Sequence, residues 1–293
     1  MNYKIIYYFI VWAFGYILFV EYFVPSNFTF SQHPNQGNFV KAEKLLFEDN
    51  VNIRRVIVGS SLSNYIYLKK TDKYYNCSIG GESALEGLDI ILNSNCKPDV
   101  VFVEINLLYK PYNSNFINLA MPYFLNIPRG FFAAFRESKQ PIGIFGRLLS
   151  HLNVFEIGFS GVNDCLLPIF TINNSSSGLS VNDFLDVQSK NYSTRPDRNL
   201  LIYQALLLSK RVKTLKKRGA KIVFFEMPIN YKLVNSPKAS SIRELIKNNF
   251  KGYPFLQTPK GVNYSTKDGL HLTSVEAMQY SKYFENEIKP YLN

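Results

Sequence analysis

The stretch that decides the fold is Val56–Tyr65, VIVGSSLSNY. With Arg55 it begins as a short buried strand over Arg55–Val58, breaks at Gly59, and resumes in a polar–apolar pattern that predicts a short helix over Leu62–Lys69. Strand, turn and helix in that order is the building unit of α/β folds. Two serines, Ser60 and Ser61, stand at the junction. A serine after a strand serves as a helix N-cap, its oxygen accepting from free backbone N–H groups. The same position also suits chemistry, and the surrounding sequence has to weigh the two.

Outward from this turn the alternation continues. Tyr74–Ile79 reads as a strand and Ser83–Leu92 as a helix. VVFVEI, Val100–Ile105, is a central parallel strand because it is apolar on both faces. Asp197–Arg218 predicts a helix, basic at its C-terminal end and stopped by Gly219. KIVFFEMP, Lys221–Pro228, is the next strand; a loop-rich segment then leads to KDGLHLTSVEAMQYSKYFENEI, a turn before a final amphipathic helix. Such a series makes a doubly wound sheet, which places its sites at the carboxyl ends of the strands. Ser60, Ser61, Gly80, Gly81, Asn106 and the loop after Met227 are therefore expected along one edge.

At 293 residues the chain suits one α/β domain with an elaboration. Between Leu107 and Arg195 the alternation is lost, and we read about 108–195 as an insertion. It holds the aromatic, Pro-punctuated MPYFLNIPRGFFAAFRESKQPIGIFGRLLSHLNVFEIGF and the loop TINNSSSGLS, which suit a lid, a glycan platform, a membrane-resting surface or plain packing. A GVND at Gly161–Asp164 follows no buried strand and is set aside as coincidence.

Near the N-terminus, Ile5–Val20 carries no charge over about 16 residues, close to what spans a hydrocarbon core. No small-x-small cleavage site follows, so residues 1–25 read as an uncleaved transmembrane signal anchor. Lys4 before it and Glu21 near its end favour an N-in arrangement with the remainder exported. Residues 26–50, polar and turn-rich, read as a tether, and 51–293 as the folded domain.

The formal charge of +11 and pI near 9.4 suit anionic surroundings. No dense Lys/Arg tract or zinc-finger spacing accompanies them, so no nucleic-acid partner is expected. Cys77, Cys96 and Cys165 show no C-x-x-C spacing and no metal signature, and no cofactor is expected. A Cys77–Cys96 disulfide is conceivable in an oxidising compartment.

A serine hydroxyl attacks a carbonyl only when a base removes its proton, and that base is usually an imidazole oriented by a carboxylate. The chain has three histidines. His33 lies in the tether beside Pro34, and His151 has no acidic residue close before it. His271 follows Asp268 by three positions in the turn before the last helix, where a carboxylate can fix one ring tautomer. It is the best base.

With those residues in place, VIVGSSLS, YYNCSIGGESALEGLDIIL, VVFVEINLL and DGLHLTSVEAMQYSKYF resemble, in order and spacing, the blocks of the SGNH (GDSL-like) hydrolase and acyltransferase superfamily. The resemblance covers the core and leaves out the insertion and the leading apolar segment. It implies a flavodoxin-like three-layer α/β domain with a parallel sheet. It also implies Ser61 as nucleophile, Asp268 and His271 as the terminal pair, and Gly81 with Asn106 as oxyanion-hole donors. Two positions depart from the pattern: Ser60 stands where Asp is usual, and EINLL supplies Asn106 earlier than the usual asparagine.

The same resemblance implies an acyl-serine passed to water, an esterase, or to a sugar hydroxyl, an O-acyltransferase. Membrane-tethered exported members of similar plan act on cell-envelope glycans, often beside a polytopic membrane-bound O-acyltransferase. The expected function is O-acetylation or deacetylation of a cell-surface polysaccharide at the cell membrane, with the domain extracytoplasmic. Transfer of a D-alanyl group in envelope polymer modification, by likeness to the D-alanyl-transfer proteins, and a non-catalytic binding relative are the alternatives.

Overall fold

A computed structural model describes residues 3–25, 28, 31, 33–48, 52–68, 73–151, 181–259 and 261–292, with side chains at 147–151 excepted. The GVND and TINNSSSGLS stretches and Cys165 lie outside them. In chain order the elements begin with helices α1 (Tyr3–Phe23) and α2 (Pro34–Phe47) and strands β1 (Arg55–Val58) and β2 (Tyr74–Asn76). There follow α3 (Ala84–Asn93), β3 (Val100–Glu104), α4 (Ser114–Ala120), α5 (Asn126–Phe131) and α6 (Pro141–His151). The chain closes with α7 (Val181–Ser193), α8 (Arg198–Lys217), β4 (Lys221–Phe225), α9 (Tyr231–Val234), α10 (Pro237–Asn249), β5 (Phe255–Leu256) and α11 (Ser274–Ile288). They fall into two compact units, Met1–Glu48 with Asn118–Ile169, and Asp49–Ile117 with Phe170–Asn293.

The second unit is an α/β domain on a five-stranded, wholly parallel sheet of order β2-β1-β3-β4-β5. That is the flavodoxin-like order, wound outward in both directions from β1 and β3. The three central strands are apolar at nearly every position, so alternate residues feed two faces. Ile57, Phe102, Val223 and Phe225 join one buried cluster with Tyr192 of α7 and Tyr280, Phe284 and Ile288 of α11. The Phe284 ring stands 5.5 Å from Phe102 and 5.0 Å from Phe225. On the opposite face α3 comes so near that a Cβ at Gly87 would lie 3.0 Å from the Val58 side chain. Arg211 of α8 ties α8 to α3 through Asp89, at 2.8 and 2.6 Å. Helices cover both faces, giving three layers.

Local signals set the helix ends. Ser83 and Glu86 form a capping box on α3, and Asp197, Ser236 and Thr273 cap α8, α10 and α11. Three expectations need correction. The helix expected over Leu62–Lys69 is one 3-10 turn, Ser63–Tyr65, because the chain there bends onto buried polar partners instead of continuing. The loop-rich stretch after β4 holds α9, α10 and the two-residue strand β5. Residues 34–47, expected as tether, are helical: Pro34 opens α2, and His33 Nδ1 accepts from Gln36 N–H at 3.3 Å.

In the first unit α2 buries Val40, Ala42, Leu45 and also Glu43, whose carboxylate lies 3.0 Å from Arg129. Helix α1 is long and apolar enough to cross a membrane, with a mean hydropathy of 1.7. Cys77 and Cys96, in the second unit, are both buried and are not joined to each other.

Candidate active site

Because all five strands are parallel, the segments after β1, β2, β3 and β4 emerge at one edge of the sheet. The segment after β1 turns tightly at Gly59. A Cβ there would fall 2.2 Å from Ser63 Oγ and 2.6 Å from Glu104 Cβ, so no larger residue fits without moving the turn. Ser60 is fully buried, whereas Ser61 is partly exposed.

What holds the turn is a carboxyl group from β3. Glu104 Oε2 accepts from Ser60 N–H and Ser60 Oγ, both at 2.6 Å, and lies 3.0 Å from Ser63 Oγ. The Ser60 hydroxyl in turn accepts from Leu62 N–H at 3.1 Å, and Ser63 Oγ stands 2.8 Å from Ser78 Oγ beyond β2. Residues on both sides of Ser61 are thereby fixed. Burial pushes the Glu104 carboxyl pKa up, opposed by the hydrogen bonds from Ser60, Ser63 and the Asn106 backbone.

The second half of the site comes from the far end of the chain. Thr266 and Leu272 form an antiparallel bridge, and Lys267 N–H donates to His271 O at 2.8 Å, closing a turn with Gly269 at φ +92°. Inside that turn Asp268 Oδ1 accepts from the N–H groups of Leu270 (2.9 Å) and His271 (2.7 Å), and Oδ2 lies 2.6 Å from His271 Nδ1. His271 Nε2 lies 2.8 Å from Ser61 Oγ. Burial alone would raise the Asp268 pKa; the hydrogen bonds from the His271 ring and the two backbone amides outweigh it and hold the carboxyl below its usual range. An ionised carboxylate only accepts, so Nδ1 carries the ring proton and Nε2 turns its lone pair toward Ser61. The imidazole packs beside Tyr65, ring centroids 6.0 Å apart.

Ser61, His271 and Asp268 thus form one hydrogen-bonded line. Gly81 follows β2 at φ +85°, a backbone conformation suited to glycine, and a Cβ there would meet nothing within 4 Å. Its carbonyl accepts from Lys110 Nζ at 2.8 Å. Asn106 is buried and bound at both ends of its amide to Met227: Oδ1 accepts from Met227 N–H at 2.7 Å and Nδ2 donates to Met227 O at 2.9 Å. It staples the ends of β3 and β4, leaving the second Nδ2 hydrogen to face anything else.

Glu104 is the residue that sequence reading passed over. Its signal was there, a carboxylate closing an otherwise apolar strand, VVFVE, which would be costly to bury without donors. The donors are Ser60 and Ser63, on the turn that carries Ser61. Because only a single 3-10 turn follows Ser61, no appreciable helix macrodipole acts on it. Among the described residues no group of three or more His, Cys, Asp or Glu side chains is arranged to hold a metal.

No family model matches the chain, and no curated protein matches it. Among solved structures it is similar to one described as a "putative acylhydrolase" from Bacteroides fragilis NCTC 9343, at 12% identity over 86% of this chain and 94% of that chain, with a TM-score of 0.39.

Proposed function

We propose that the protein is a serine acyl-transfer enzyme of SGNH type working through an acyl-serine intermediate. The observation that carries this is the unbroken line Asp268–His271–Ser61, at 2.6 and 2.8 Å. His271 Nε2 takes the Ser61 proton as Oγ attacks an ester carbonyl; the C–O bond to the leaving alcohol breaks as the imidazolium returns that proton. Asp268 stabilises the imidazolium without being protonated itself. The backbone N–H groups of Ser61 and Gly81, with the second Asn106 amide hydrogen, take the role of oxyanion donors. Water or a sugar hydroxyl then reverses the sequence, His271 acting as base.

In this reading α1 anchors the chain in the cell membrane by a single pass, with the domain extracytoplasmic. The acceptor is a hydroxyl of a cell-surface polysaccharide, and a polytopic membrane-bound O-acyltransferase is the partner that supplies acyl groups. The apolar helix and the charge of +11, suited to an anionic envelope, support this setting. Full-length protein, Ser61→Ala and His271→Ala are treated with a fluorophosphonate probe, and acetyl release from a chromogenic ester is followed with and without an oligosaccharide acceptor. Labelling of the native chain alone supports the nucleophile, and acceleration with acylated sugar supports transfer. A native chain that never labels refutes enzymatic turnover.

A further inference from the structure

The first unit distributes polarity in reverse. Arg129, Lys139 and Glu43 are 6%, 3% and 2% exposed, while Tyr123 and Phe124 are 86%, Phe131 78% and Ile127 72% exposed. Arg129 is spent inward, on Glu43 at 3.0 Å and Glu137 at 3.5 Å. The Lys139 ammonium donates to the carbonyls of Pro25 (2.7 Å) and Phe28 (2.8 Å). Single exposed apolar side chains are ordinary on a soluble surface. A run of aromatic ones backed by buried cations is not, because in water the charged groups would gain by facing out and the rings by facing in.

This reversed surface continues from α1. Ala133 N–H donates to Glu21 Oε1 at 2.5 Å, and the Tyr16 hydroxyl donates to Lys139 O, so the chain directly after the Tyr123–Phe131 run is bonded to the C-terminal half of α1. Helix α1 itself is nearly bare, with 6% of its most apolar window buried. Whatever solvent surrounds the end of α1 therefore also meets these rings.

We propose that Tyr123, Phe124, Ile127 and Phe131 form a second membrane contact. They lie in the acyl–headgroup boundary of the leaflet that holds the C-terminal end of α1, as amphipathic interfacial segments with aromatic faces do. The occupant is the lipid itself, since the surface is an extension of the helix that meets lipid. The contact rests on α1 being inserted, and is independent of the chemistry at Ser61.

Trp12, in mid-α1, is the only tryptophan of the chain, which makes depth measurable. The full chain is reconstituted into phosphatidylcholine–phosphatidylglycerol vesicles with and without brominated acyl chains. Trp12 of the native chain reports insertion of α1; its failure to be quenched by bromolipid refutes the anchor and with it this proposal. In the Trp12→Phe background, Phe124→Trp and Phe131→Trp each place an indole on the surface, either serving if the other does not fold. The expected result is blue-shifted emission quenched by bromolipid comparably to native Trp12 and shielded from aqueous iodide. Quenching by iodide as free as that of N-acetyltryptophanamide overturns the proposal. So does emission that answers to neither quencher, which would mean that a second copy of the chain covers the rings.

Discussion

Ser61 Oγ and His271 Nε2 lie 2.8 Å apart although 210 positions separate them in the chain. The pair meets because β1 and the turn before α11 deliver their ends to the same edge of one parallel sheet. Each partner is immobilised by its own local network, Ser61 through Ser60 and Glu104, His271 through Asp268.

Removing either partner should end covalent chemistry. Ser61→Ala and His271→Ala are expected to lower kcat on a chromogenic ester by about 10⁴-fold or more, and the double variant to be no worse than either alone, since the two act as a unit. Kinetics of the three variants check this; additive losses would mean that the groups work separately.

Asp268→Asn tests the tautomer. The amide presents a donor where Oδ2 now accepts, which favours the ring proton on Nε2, facing Ser61. A fall in kcat of about 10³–10⁴-fold with little change in KM is expected. Steady-state kinetics beside a circular dichroism spectrum separate it from misfolding.

The depressed pKa of Asp268 also fixes a pH dependence. Its folded value lies below the unfolded value of 3.8, so the ionised form stabilises the fold above that pH, and the contribution is lost as pH falls through the folded pKa. The melting temperature of the native chain relative to Asp268→Asn should be constant above about pH 5 and shrink on further acidification. A difference that grows on acidification would reverse the assignment.

Glu104 titrates with the opposite sign. Its folded pKa is raised above 4.5, so its stability contribution is complete below that value and lost as pH rises through the folded one. Glu104→Gln keeps an acceptor without titrating, and its melting temperature relative to the native chain should rise between pH 4 and 8. Glu104→Ala leaves the Ser60 N–H and hydroxyl without their acceptor and should cost about 3 kcal/mol in urea unfolding. Fluorophosphonate labelling of Ser61 should slow in Glu104→Ala and recover largely in Glu104→Gln, which marks positioning of the turn.

Gly59→Ala probes the same turn sterically. A methyl 2.2 Å from Ser63 Oγ and 2.6 Å from Glu104 Cβ forces the turn apart, with an expected loss of about 2–3 kcal/mol and slower labelling of Ser61. Urea unfolding and labelling rates check both. Wild-type values for both would mean that the turn yields freely.

The sequence alone was enough for whatever is written in neighbouring residues. The apolar runs at Arg55–Val58, Val100–Glu104 and Lys221–Phe225, the caps at Ser83, Asp197 and Thr273, and the Asp268–His271 turn depend on contacts a few positions apart. Only the tertiary structure decided that Glu104 accepts from Ser60, that the Asn106 amide is bonded to the Met227 backbone, that Phe255–Leu256 is a strand, and that residues 34–47 are a helix. The reason is physical. A buried carboxylate, a two-residue strand and a weakly apolar helix have no stability of their own; each exists because a partner distant in sequence supplies a donor, a hydrogen-bonding edge or a counter-charge. Spacing along the chain carries no record of which partner that is.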